Sequence, residues 1–99
     1  MSERIIRRVV IRGRVQGVGY RDWTRYVARE RGIEGWVRNR QDGSVEAVFS
    51  AASDAVISMI VACRKGPSNA MVHSIEEHDG TVVEFELRGE KTFAVLPTL

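Results

Sequence analysis

Residues 13–21 read "GRVQGVGYR". A run rich in β-branched residues, "IIRRVVIR" at 5–12, precedes this stretch, and a helical pattern follows it. The stretch is therefore a strand-to-helix connection built from glycines. It ends by placing Arg21 in the first turn of the helix, where the dipole is positive. In the preceding run Val9 and Ile11 share one face and Arg8 and Arg12 the other, which predicts a half-buried strand.

From Tyr20 to Arg31 the period changes to that of a helix. Tyr20, Trp23 and Val27 form its predicted buried stripe, and Gly32 its stop. Further on, "GWVRNR" at 35–40 and "SVEAVF" at 44–49 predict two strands joined through Asp42-Gly43, residues suited to a hairpin turn. Ser53 is the expected N-cap of a second helix over 54–65. Its buried face is Val56, Ile60 and Cys63 with Met59 alongside, and Gly66-Pro67 ends it. Residues 69–78, "TVVEFEL" at 81–87 and "TFAVL" at 92–96 are read as strands. The order β-α-β-β-α-β, with extra strand material at the end, predicts an α+β, ferredoxin-like sandwich: an antiparallel sheet with two helices on one face. Ninety-nine residues suit a single domain over 1–99.

Composition narrows the function. No apolar run approaches the roughly 20 residues of a membrane-spanning helix. The start, "MSERIIRR", lacks the apolar core of an export signal, and Cys63 is the only cysteine. Both point to a cytoplasmic protein without disulfides and without a membrane partner. The net charge of +2 hides an asymmetry: residues 1–49 carry +5 and residues 50–99 carry −3. The positive half contains the glycine loop, a bias that suits an anionic ligand.

The loop itself fits such a ligand. Gly13, Gly17 and Gly19 allow positive φ and close approach to the backbone. Successive N–H groups there can form an anion nest, and the helix end adds its own free donors. Arg21 alone would oppose the helix dipole; a bound oxyanion removes the conflict, and the guanidinium fork matches two phosphate oxygens. No "GKS" or "GKT" follows, so this is not a Walker loop. From these residues alone two readings stand, an anion site and a tight structural turn with a surface arginine.

"GRVQGVGYR" resembles the first signature of the acylphosphatases, and "GWVRNRQDGSV" at 35–45 resembles their second, in the same order and at similar spacing. The resemblance implies hydrolysis of a carboxyl–phosphate anhydride to carboxylate and inorganic phosphate, with no metal and no cofactor. It makes Arg21 the phosphate-binding arginine and the loop Val15, Gln16, Gly17, Val18, Gly19 and Tyr20 the phosphate cradle. Asn39 is the residue that holds the attacking water. The implied partner is a small acyl phosphate, and the expected state is a monomer. The chemistry agrees with those residues: the leaving carboxylate has a conjugate acid of pKa about 4 and needs no proton donor. Phosphoryl transfer then requires positioning and charge stabilisation. Three positions depart from the family pattern: Tyr20 where Phe is usual, Ala51 where the second signature ends in Gly, and Ser68 in place of a second proline.

Other residues carry less. His73 and His78 lack the further ligands a metal site requires. Cys63 reads as a small core residue and Trp23 and Trp36 as core aromatics. Arg14, Arg38 and Arg40 flank the site in sequence and could concentrate anionic substrate. Two competing readings are a nucleic-acid-binding module and a regulatory domain of the same fold without turnover. RNA-recognition domains share this element order, but the aromatic "RGFGFV"-type strand they use to stack bases is missing. The physiological acyl phosphate is not encoded in any legible motif.

Overall fold

The computed structural model describes residues 3–99. In chain order the elements are β1 (Arg4–Arg14), α1 (Tyr20–Glu30), β2 (Glu34–Asn39), β3 (Val45–Ala52), α2 (Ser53–Lys65), β4 (Met71–Asp79), α3 (Val82–Glu86) and β5 (Phe93–Val95). Antiparallel ladders join β1 to β3 and β4, and β2 to β3, giving the sheet order β4-β1-β3-β2-β5. This is the expected ferredoxin-like arrangement with one difference. β5 pairs with β2 in parallel, Val37 opposite Val95, so the sheet is mixed rather than wholly antiparallel.

Strand alternation decides the two faces. Val9 and Ile11 of β1, Val45, Ala47 and Phe49 of β3 and Val37 of β2 are fully buried in one cluster with α1 and α2. The α2 stripe is the expected one, Val56, Met59, Ile60 and Cys63. On α1 the buried line is Tyr20, Thr24 and Ala28, one step round from the expected stripe, with Trp23 and Val27 only partly buried. Thr24 can occupy a buried position because its hydroxyl donates to the Tyr20 carbonyl at 2.8 Å. Ser53 is the first helical residue of α2 and not its N-cap. β3 runs into the helix through Ala52 without a loop, and the Ser53 N–H donates to the Glu3 carbonyl at 2.9 Å.

Residues 81–87 are not a strand. Thr81 Oγ1 accepts from the Glu84 N–H at 3.1 Å, and Glu84 Oε1 accepts from the Thr81 N–H at 2.9 Å. This reciprocal pair is a capping box, and it starts the short helix α3. α3 packs on the sheet face opposite α1 and α2, where Phe85 joins a second cluster of Trp36, Val48 and Ala94. Trp36 Nε1 donates to the Glu84 carbonyl at 2.7 Å, so its indole is both buried and satisfied. On this same face Glu46 is buried between Arg8, at 3.1 Å, and Arg38, at 2.8 Å. Each charge has partners there, which such burial requires.

Candidate active site

The glycines of the opening stretch serve two purposes. Gly17 and Gly19 have φ of 74° and 80°, a backbone that L side chains rarely adopt. Gly13 answers a packing demand. The β1–β4 register shifts between Arg12 and Gly13, and a Cβ on Gly13 would lie 2.2 Å from the Met71 carbonyl oxygen. Gly19 is the N-cap of α1 and offers no side chain, so no side-chain oxygen caps the helix. The first backbone bond of α1 runs from the Trp23 N–H to the Gly19 carbonyl, at 3.0 Å. The N–H groups of the turn before it, on Tyr20, Arg21 and Asp22, have no intrahelical acceptor.

These donors open onto a pocket of about 200 Å³, lined by Val15, Gly17, Gly19, Tyr20, Arg21 and Asn39, with Asp22 and Val95 completing the wall. The volume lies below the roughly 300–1,000 Å³ of sites for drug-sized ligands and suits a small group. Arg4, Arg7, Arg8 and Arg12 all pair with carboxylates. Arg21 has no carboxylate partner among the described residues, so its charge faces the pocket uncompensated. Asp22 pairs with Arg25 at 3.4 Å, which moderates the one negative charge at the rim.

Asn39 reaches the pocket from the far end of β2, on the same sheet face as Val37. Its Oδ1 is buried and has no hydrogen-bond partner among the described residues. An orphaned buried acceptor costs about 1–3 kcal/mol and is uncommon in folded proteins. The strand end that carries it is held from both sides. Val45 pairs with Asn39 across the hairpin, and the Leu99 N–H donates to the Asn39 carbonyl at 3.1 Å.

Of the loop residues named from sequence, Val15, Gly17, Gly19 and Tyr20 line the pocket together with Arg21 and Asn39; Gln16 and Val18 do not. Val18 packs on the core. Gln16 turns away and donates twice through Nε2, to the carbonyls of Arg40 and Ser44, each at 2.8 Å. Asp22 and Val95 also line the pocket and were not among the expected site residues. Asp22 follows directly from helix geometry after Arg21, whereas Val95 enters only through the parallel pairing of β5. Arg38 stands apart from the site, since it stacks on Trp36 and pairs with Glu46 on the opposite sheet face. Among the described residues no three His, Cys, Asp or Glu side chains converge, and no helix is long and apolar enough to cross a membrane.

The model of the acylphosphatase family matches residues 7–94. The chain belongs to the acylphosphatase family. An acylphosphatase of Rhodopseudomonas palustris is 52% identical over 96% of this chain and 97% of its own length. Another, from Bradyrhizobium diazoefficiens, is 53% identical over 97% of this chain and 98% of its own. Among solved structures, the acylphosphatase of Bacillus subtilis superposes with a TM-score of 0.82 at 32% identity, over 93% of this chain and 98% of that one. The protein is accordingly an acylphosphatase-type hydrolase of ferredoxin-like fold, as the two signatures implied. Tyr20, where acylphosphatases usually carry Phe, uses its extra hydroxyl to donate to the Cys63 carbonyl at 2.5 Å. At the other departure from the signature, β3 simply continues through Ala51 to Ala52.

Proposed function

We propose that this pocket hydrolyses acyl phosphates without a metal ion. Arg21 and the backbone of the loop from Val15 to Tyr20 hold the phosphoryl group, and Asn39 holds the attacking water. One observation carries the reading: an unpaired guanidinium, an uncapped helix N-terminus and the carboxamide of Asn39, whose oxygen has no partner among the described residues, meet on a single small pocket.

The chemistry follows from those groups. The loop amides and Arg21 face the equatorial phosphoryl oxygens, where charge must be stabilised during transfer. Water donates to Asn39 Oδ1, which orients a lone pair toward phosphorus. Rotation of the carboxamide exchanges its oxygen and nitrogen, so the acceptor can face the pocket without other movement. As the water oxygen bonds to phosphorus, the bond from phosphorus to the acyl oxygen breaks and its electron pair leaves on the carboxylate. The proton of the water passes to a phosphate oxygen. No general acid is required, because the carboxylate is stable as an anion at neutral pH.

The same reading includes a cytoplasmic monomer that does not bind nucleic acid. The exposed edge strand β4 carries Glu76, Glu77 and Asp79, charges that discourage strand addition by a second copy. The sheet face that an RNA-recognition domain uses for stacking is covered by α3, with Trp36 buried beneath it. A single buried cysteine suits a reducing compartment.

The test is phosphate release from benzoyl phosphate in excess chelator. Full activity is expected there, and Arg21→Lys, which keeps the charge but loses the fork, should turn over roughly a hundredfold more slowly. Activity lost to chelator and restored by one particular metal would overturn the metal-free mechanism. Near-normal turnover by Arg21→Lys would overturn the role of Arg21.

A further inference from the structure

We infer that Gln16 is a positioning residue for hydrolysis: its side-chain carboxamide fixes the turn after Asn39 to the phosphate loop and so sets the place of the water. The inference rests on the roles proposed above for the loop and for Asn39. Gln16 sits between Val15 and Gly17, both of which line the pocket, yet its own side chain points elsewhere. Both protons of Nε2 are used, one on the Arg40 carbonyl and one on the Ser44 carbonyl, at 2.8 Å each. Those two carbonyls are the ones that close the turn. Ser44 O also accepts from the Arg40 N–H at 2.9 Å, and Arg40 O from the Gly43 N–H at 3.1 Å. Gln16 therefore grips the turn at its base, one residue beyond Asn39.

The turn has a second set of restraints that leave Gln16 free for this purpose. Asp42 Oδ1 accepts from the Ser44 N–H at 3.0 Å and from its hydroxyl at 2.5 Å, and Asp42 pairs with Arg12 at 3.3 Å. These bonds shape the turn and tie it to β1. Among the described residues, only the Gln16 hydrogen bonds join it to the loop that lines the pocket. Without them the turn keeps its form and the strand pairing of Asn39 remains, but the direct tie between that strand end and the cradle is lost. A misplacement of about 1 Å at a reacting centre can cost on the order of a hundredfold in rate.

The test is a double-mutant cycle. Gln16→Met preserves length and volume but removes both donors, and each gripped carbonyl retains its backbone donor, so folding is expected to survive. Gln16→Asn, which keeps the donors on a shorter stem, serves as the second variant. Turnover, KM, inhibition by inorganic phosphate and melting temperature are measured for each substitution, alone and with Asn39→Ala. Gln16→Met should lower kcat roughly tenfold or more, with the inhibition constant for phosphate moving less than about threefold. In the Asn39→Ala background the same substitution should cost little further, since residues acting through one another are not additive. A full additional loss in that background, or phosphate affinity falling in step with kcat, overturns the positioning role alone. Normal turnover by Asn39→Ala itself would instead overturn the underlying assignment of the water, and this role with it.

Discussion

The Tyr20 hydroxyl donates to the Cys63 carbonyl at 2.5 Å, joining the first residue of α1 to the last turn of α2. The carbonyl is one of the four that a helix C-terminus leaves without intrahelical partners. Burial holds the phenol well above its ordinary pKa, so it stays a neutral donor, and burial pushes the Cys63 thiol up to about 12. The thiol is therefore inert, as its place in the core suggests.

Tyr20→Phe should cost about 1–2 kcal/mol, because the buried carbonyl loses its partner. For a domain of this size the melting temperature should fall by several degrees, roughly 4–8 °C per kcal/mol. Turnover should stay within about threefold, since the ring still packs against Gly66 and the backbone of the loop is unchanged. An unaltered melting temperature would mean that the bond contributes nothing.

Asn39→Ala should separate catalysis from binding. It removes the acceptor for water and leaves the loop and Arg21 in place. We expect kcat to drop on the order of a hundredfold, while inorganic phosphate still inhibits with nearly its normal affinity. A variant that loses phosphate affinity yet turns over normally at saturation would reverse the two roles.

The turn should show itself in acid. Asp42 is held below its ordinary value of 3.8, at about 2, first by the Ser44 hydroxyl, then by the Ser44 N–H, with Arg12 adding to both. The folded state thus favours the ionised carboxyl, and between these values the unfolded chain binds more protons. Its contribution to stability is full above about pH 4 and disappears as pH falls through about 2. Asp42→Asn keeps an oxygen for Ser44 but has no charge. The gap in melting temperature between wild type and this variant should be largest near neutrality and shrink below pH 4. A gap that stays constant or widens in acid would contradict this origin.

Much of this was legible in the chain because local pattern and final environment agree. β1, β2, β3 and α2 read correctly from periodicity, and the loop from its glycines. Residues 81–87 misled because Val82, Val83 and Phe85 favour a strand locally. The T-x-x-E spacing of Thr81 and Glu84, a capping-box signal, was present and outweighs them. What rewards the helix is distant: the indole of Trp36 needs an acceptor, and Phe85 covers its ring. The parallel pairing of β5 has no local signature either, so Val95 could not be placed on the pocket wall. Gln16 was readable as part of the loop but not as its tether, since the two carbonyls it grips become visible only when the hairpin folds back.

The central claim is that "GRVQGVGYR" forms an anion site in the folded chain, and thermal stability with and without phosphate tests it most directly. Phosphate at about ten times its dissociation constant should stabilise the protein by on the order of 1.4 kcal/mol, several degrees of melting temperature. Chloride at matched ionic strength should not, and sulfate should partly substitute. Arg21→Ala should remove most of the phosphate-specific shift, whereas His73→Ala should leave it intact. Equal stabilisation of the wild type by phosphate and chloride would contradict the account and reduce the loop to a turn.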